Sequence, residues 1–135
     1  MRPRLGQDAW IDGEARKMSI QVKRAYEAPT RRDGYRVLVD RVWPRGLKKE
    51  QLKLDAWLKQ LAPSTSLRTW FGHDPAKWNE FRRRYFRELA ENNEDVRELR
   101  KKARRSRVTL VFAAKDTEFN NAVALRQYLQ KRQTN

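Results

Sequence analysis

The chain has 135 residues, with 32 lysines and arginines against 17 aspartates and glutamates, giving a formal net charge of +15. This length supports one domain with a genuine core and not two. Cysteine is absent, which excludes disulfides, thiolate metal sites and cysteine nucleophiles and suits a reducing compartment.

Residues 1–17 mix Pro3, Gly6 and Gly13 with charges and keep neither a helical nor a strand period, so they read as a flexible tail ahead of a single domain over 18–135. Met18 is a candidate start. The chain opens without the apolar block of a signal peptide, and no apolar run approaches the ~18 residues of a membrane span, so a cytoplasmic protein is expected.

The first strand is expected over Ile20 to Tyr26, with Ile20 and Val22 facing one way and Gln21 and Lys23 the other. Asp33-Gly34 then marks a turn into a second strand, Tyr35 to Asp40. Leu54, Trp57, Leu58 and Leu61 follow helical spacing up to Pro63, which predicts a helix there. Ser64 suits the N-cap of a short helix carrying Leu67, Trp70 and Phe71. Trp78, Phe81, Tyr85 and Leu89 form one stripe of a longer helix, and Val96, Leu99 and Ala103 mark the next, from Glu94 to Arg105. Val108 to Ala114 is the clearest buried strand, and Asp116 or Thr117 is expected to cap a final helix. Early strands, a helical insertion and a strand-helix finish predict a small α/β domain with a short, largely parallel sheet.

Two segments should meet at one edge of that sheet. Asp40-Arg41-Val42-Trp43-Pro44-Arg45-Gly46 follows an apolar run that Pro44 cannot extend. Arg41 and Arg45 there suit a clamp on a phosphate or carboxylate, Trp43 offers a stacking face, and Asp40 can orient a guanidinium. The bland alternative is an Asp40 ion pair with either arginine and a core Trp43. The second segment, Lys115 to Asn121, lies where backbone amides open the last helix, and Lys115, Asn120 and Asn121 add donors for an anion. Asp116 and Glu118 argue against an anion there, and ordinary capping by Asp116 explains that turn more economically. The single histidine, His73, rules out a histidine metal cluster and is expected in an exposed loop. A dense basic stretch from Arg97 to Arg107, preceded by Arg82, Arg83, Arg84 and Arg87, suits phosphate contact without base reading, with Phe86, Trp70 and Trp43 as stacking candidates.

The run from Asp33 to Gly46 resembles the small bacterial YeaO-like proteins of the domain-of-unknown-function 488 family. Leu54-Asp55-Ala56-Trp57, Ala62-Pro63-Ser64, Leu67-Arg68, Phe81-Arg82 with Tyr85, and Ala113-Ala114-Lys115-Asp116-Thr117 followed by Asn120 extend the likeness from Met18 to Leu129. The resemblance implies a Rossmann-like three-layer α/β fold related to the rhodanese and cysteine-phosphatase group. In other branches of the wider family the last strand ends in a cysteine and the next turn carries a Cys-His-Arg signature. The resemblance sets Phe112 at the first and Asn120-Asn121-Ala122 at the second, so cysteine-based phosphate or sulfur transfer is unavailable to this chain.

The resulting expectation is a protein that binds a phosphate-bearing ligand, nucleic acid or a phosphorylated small molecule, through Asp40, Arg41, Trp43, Arg45, Lys115, Asp116, Asn120 and Asn121, with no metal and no cofactor. The alternative is a cysteine-independent enzyme acting on a nucleotide or phosphorylated metabolite, with Asp40 or Asp116 as general base. A third possibility is an interaction domain in which these residues only brace the fold.

Overall fold

The computed structural model describes residues 18–131, and the tail expected over residues 1–17 lies outside them. Strands β1 (Ile20–Arg24), β2 (Tyr35–Leu38), β3 (Ala56–Trp57) and β4 (Val108–Phe112) form one sheet in the order β1-β4-β2-β3. Every pair is parallel, with Ile20 and Tyr35 both opposite Val108. The helices are α1 (Lys49–Leu52), α2 (Thr65–Phe71), α3 (Trp78–Ala90), α4 (Asn93–Arg105) and α5 (Asn121–Gln130). Among the described residues no helix is long and apolar enough to cross a membrane.

The period of two along the strands sends alternate side chains into different layers. Ile20, Val22, Val37, Leu110 and Phe112 join Phe81, Tyr85 and Leu89 of α3, Val96 and Leu99 of α4, and Leu125 and Leu129 of α5 in the main core. Leu38 and Val111 face the other way, onto Ala25, Leu52, Leu54 and Trp57. The three-layer α/β arrangement is therefore real but lopsided, with one thick helical layer and one thin one. The central strand β4 is buried along its whole length, which explains why it reads as a continuous apolar run.

The thin layer includes a buried polar knot. The Asp33 carboxylate accepts from Lys23 Nζ at 3.1 Å, Arg36 Nη1 at 2.7 Å, Gln21 Nε2 at 3.0 Å and the Thr30 amide at 3.0 Å. Thr109 Oγ1 donates to the Asp33 carbonyl at 2.7 Å. Gly34 follows at φ +66°, and a Cβ there would lie 2.4 Å from the Arg107 carbonyl oxygen. Only glycine lets β2 start this close to the chain entering β4.

Two expectations are corrected here. The Leu54 to Leu61 segment is not an α-helix: Ala56–Trp57 is the edge strand β3, held by Asp55 N–H to the Arg36 carbonyl and Leu58 N–H to the Leu38 carbonyl, and only Lys59–Leu61 turns as a short 3-10 helix. The helical spacing arises because the segment crosses the sheet edge, sending Leu54 and Trp57 into the thin layer and Leu58 and Leu61 into the thick one. The cap of α5 is Asn120, whose side-chain oxygen accepts from Val123 N–H at 2.9 Å, and not Asp116 or Thr117. Asp116 instead folds the turn before it, accepting from the amides of Glu118 and Phe119.

Burial alone would raise the Asp33 carboxyl, but the Thr30 amide and hydroxyl, Lys23 and Arg36 outweigh it and hold the group at about 2, against an ordinary 3.8. The unfolded chain therefore takes up this proton first as pH falls. The contribution of Asp33 is full above about pH 4 and is lost as pH drops towards about 2. Asp33→Asn is expected to destabilise the protein by roughly 3 kcal/mol at neutral pH, since it strands the buried Arg36 and the partly buried Lys23, and to flatten the acid limb of stability measured by urea unfolding from pH 2 to 7. An unchanged acid limb would contradict this assignment.

Candidate functional site

The parallel strands end together at one edge, the usual place for a crevice in an open α/β sheet. A cavity of about 580 Å³ lies there. Its wall is supplied by Asp40 to Arg45 after β2, by Ala113 and Ala114 after β4, by Asn120 and Asn121 at the start of α5, and by Pro63, Arg68, Thr69, Phe71 and His73 around α2. Ser64 begins α2 by accepting from Leu67 N–H at 3.2 Å, and Gly72 ends it at φ +53°, so Arg68 projects from a short capped helix.

Asp40 organises the cavity. One carboxylate oxygen accepts from Ala113 N–H at 2.9 Å and the other from Asn121 Nδ2 at 3.0 Å. Asn121 Nδ2 also donates to the Val39 carbonyl at 3.0 Å, so β2, β4 and α5 are tied at one point. Burial raises the Asp40 carboxyl above its ordinary value, opposed by the bonds from Asn121 and Ala113 and by the positive charge of Arg68. No ion pair joins Asp40 to Arg41 or Arg45 among the described residues.

The three arginines of the cavity differ in what holds them. Arg41 donates from Nε to the Pro63 carbonyl at 3.2 Å and from Nη2 to the Ala62 carbonyl at 3.3 Å, so it braces the entry to α2. Arg45 and Arg68 are exposed, and neither guanidinium has a hydrogen-bond or carboxylate partner among the described residues. Trp43 is half-buried, with Nε1 donating to the Leu47 carbonyl at 2.7 Å and its ring edge-on to Trp57 at 5.4 Å.

The predicted residues thus divide. Asp40, Arg41, Trp43, Arg45, Asn120 and Asn121 all line the cavity. Lys115 and Asp116 do not; Lys115 is exposed beside it, and the two amides bonded to Asp116 hold its carboxyl below the ordinary value. Asn120 spends its side chain on Val123 N–H and the Asp116 carbonyl, so the turn is satisfied largely by its own side chains. Sequence reasoning missed Arg68, Tyr26 and the placement of His73 at the cavity. His73 is exposed as expected, at φ +58°. Of the other stacking candidates, Trp70 is covered by Arg84 at 4.2 Å and Phe86 packs on Tyr128 at 5.1 Å, leaving Trp43.

This division predicts opposite behaviour for neighbouring arginines. Arg41→Ala should cost roughly 1–3 kcal/mol in chemical denaturation, because two carbonyls lose a charged donor. Arg45→Ala should stay within about 0.5 kcal/mol. Equal losses would mean that Arg45, too, is a structural residue.

A family profile described as the inactive DUF488-N3 subclade matches residues 19–135. The uncharacterized protein YeaO of Escherichia coli K12 is 42% identical over 113 residues, covering 84% of this chain and 98% of that protein. The uncharacterized protein Rv3073c of Mycobacterium tuberculosis H37Rv is 41% identical over 117 residues, covering 87% of this chain and 98% of its own length. No solved structure matches. With the profile spanning all of the described sheet and cavity, and relatives this similar along nearly their full length, the chain belongs to the YeaO-like DUF488 family, in its inactive DUF488-N3 subclade.

Proposed function

We propose that the cavity binds a phosphate-bearing ligand of about mononucleotide size, with the phosphate between the Arg45 and Arg68 guanidiniums. The observation that carries this reading is that these two cations line one crevice without a carboxylate partner among the described residues. An unpartnered guanidinium pair beside an indole suits an anion joined to a flat ring. The volume, about 580 Å³, falls within the ~300–1,000 Å³ typical of small-molecule pockets. A nucleic-acid strand would enter it only by a terminal nucleotide. A cysteine-free chain suits the reducing cytoplasm, where such ligands are plentiful.

The second reading, a cysteine-independent enzyme, rests on the burial-raised Asp40 carboxyl facing the same cavity. Its two oxygens already accept from Ala113 and Asn121, and Asp116 lies outside the wall, which favours binding over proton transfer. The subclade's description as inactive leans the same way.

Titration calorimetry with 5′-AMP and with inorganic phosphate separates these readings. The double variant Arg45→Ala/Arg68→Ala is expected to weaken 5′-AMP at least about tenfold, or 1.4 kcal/mol, with the nucleotide recovered unchanged by chromatography. Equal affinity in the variant, or no binding to the wild type, would reject the site. Product formed by the wild type and lost in Asp40→Asn would establish the enzyme instead.

A further inference from the structure

A cavity that holds one small anion leaves most of the +15 net charge without a role. Part of that excess gathers at the opposite edge of the sheet, where the strands begin. Tyr35 N–H donates to the Arg107 carbonyl at 2.9 Å, which sets the start of β2 beside Arg107. Arg31 and Arg32 stand in the short helical turn just before Gly34, whose own amide donates back to the Arg31 carbonyl. Lys102, in the last turn of α4, holds its ammonium 4.5 Å from the Tyr35 ring centre, and Arg105 ends the same helix. All five cations are exposed, and none meets a carboxylate within 4.0 Å among the described residues. The carboxylate nearest in sequence, Asp33, is buried and already shared between Lys23 and Arg36.

The helix dipole explains basic residues at the C-terminal end of α4, where Lys102 and Arg105 sit. It does not explain Arg31 and Arg32, which come from another segment, and Arg107, just past the helix, also donates to Ser19 Oγ at 2.9 Å and Gln21 Oε1 at 3.4 Å. Cations converging from two parts of the chain with no carboxylate paired to them repel one another, and a bound polyanion relieves that repulsion. The large exposed apolar side chains of the described residues, Tyr26 and Val42, both line the cavity at the far edge. Tyr35 is half-buried with Lys102 over its ring, so this edge offers no stacking platform for unpaired bases.

We infer that this edge is a docking surface for the phosphate backbone of duplex nucleic acid, bound without reading sequence. The inference stands on residues separate from the cavity and does not depend on what the cavity holds. Five phosphate contacts correspond to a salt slope of roughly −4 to −5 in log K against log salt.

Anisotropy with a labelled duplex of about 20 base pairs across a salt series tests it. The triple variant Arg31→Ala/Arg32→Ala/Arg105→Ala removes exposed groups only, and circular dichroism should show it folded. It is expected to lower the magnitude of the slope by about 3 and to weaken binding at least about tenfold near physiological salt. Arg45→Ala/Arg68→Ala should leave the slope unchanged. An unchanged slope in the triple variant, or a slope abolished by the cavity variant, would overturn the inference. So would binding to phosphatidylserine vesicles without binding to the duplex.

Discussion

The Asp40 carboxylate accepts from the Ala113 amide with one oxygen and from the Asn121 side chain with the other. Through that pair of bonds the end of β2 is fixed to the end of β4 and to the first turn of α5, and the crevice exists because those three points cannot drift apart. A half-buried carboxylate is costly unless its lone pairs are used. Here the used lone pairs also close the fold, and the bonds from Asn121 and Ala113 offset part of the cost of desolvating Asp40. Trp57 Nε1 adds a bond to the Asp40 carbonyl at 2.7 Å, bringing the edge strand into the same joint.

The molecule separates its charges by task. At the strand starts Asp33 is sealed with Lys23 and Arg36 in the thin layer, where pairing stabilises the register between β1, β2 and β4. Arg100 is buried and donates to the carbonyls of Tyr128 and Leu129, closing the C-terminal end of α5. Arg41 similarly serves the entry to α2. Among the cations with no carboxylate partner in the described residues, Arg45 and Arg68 line the cavity at the strand ends, while Arg31, Arg32 and Arg107 lie where the strands begin. The two proposed anion sites therefore differ in shape, one concave and one open.

Much of this was legible in the sequence where local pattern and tertiary role agree. The continuous run of β4, the Trp78 to Leu89 stripe of α3 and the Ser64 cap each express one physical demand in adjacent residues. The Asp40 to Gly46 half of the site was legible for the same reason, since a strand that must stop at Pro44 delivers its polar residues to the sheet edge. What failed were features set by distant packing. Leu54 to Leu61 imitates a helix because it serves two layers, and Arg68 joins the cavity only through the way α2 lies over the β2 edge. The Lys115 to Asn121 turn looked open to an anion because its amides were counted without their internal acceptors. The side chains of Asp116 and Asn120 take those amides, which the family likeness alone could not reveal.

The most direct test of the account is a crystal structure grown with saturating 5′-AMP. A phosphate is expected between the Arg45 and Arg68 guanidiniums, with the base against Trp43 and the Asp40 bonds to Ala113 and Asn121 intact. An empty cavity with the nucleotide ordered elsewhere on the molecule would contradict it.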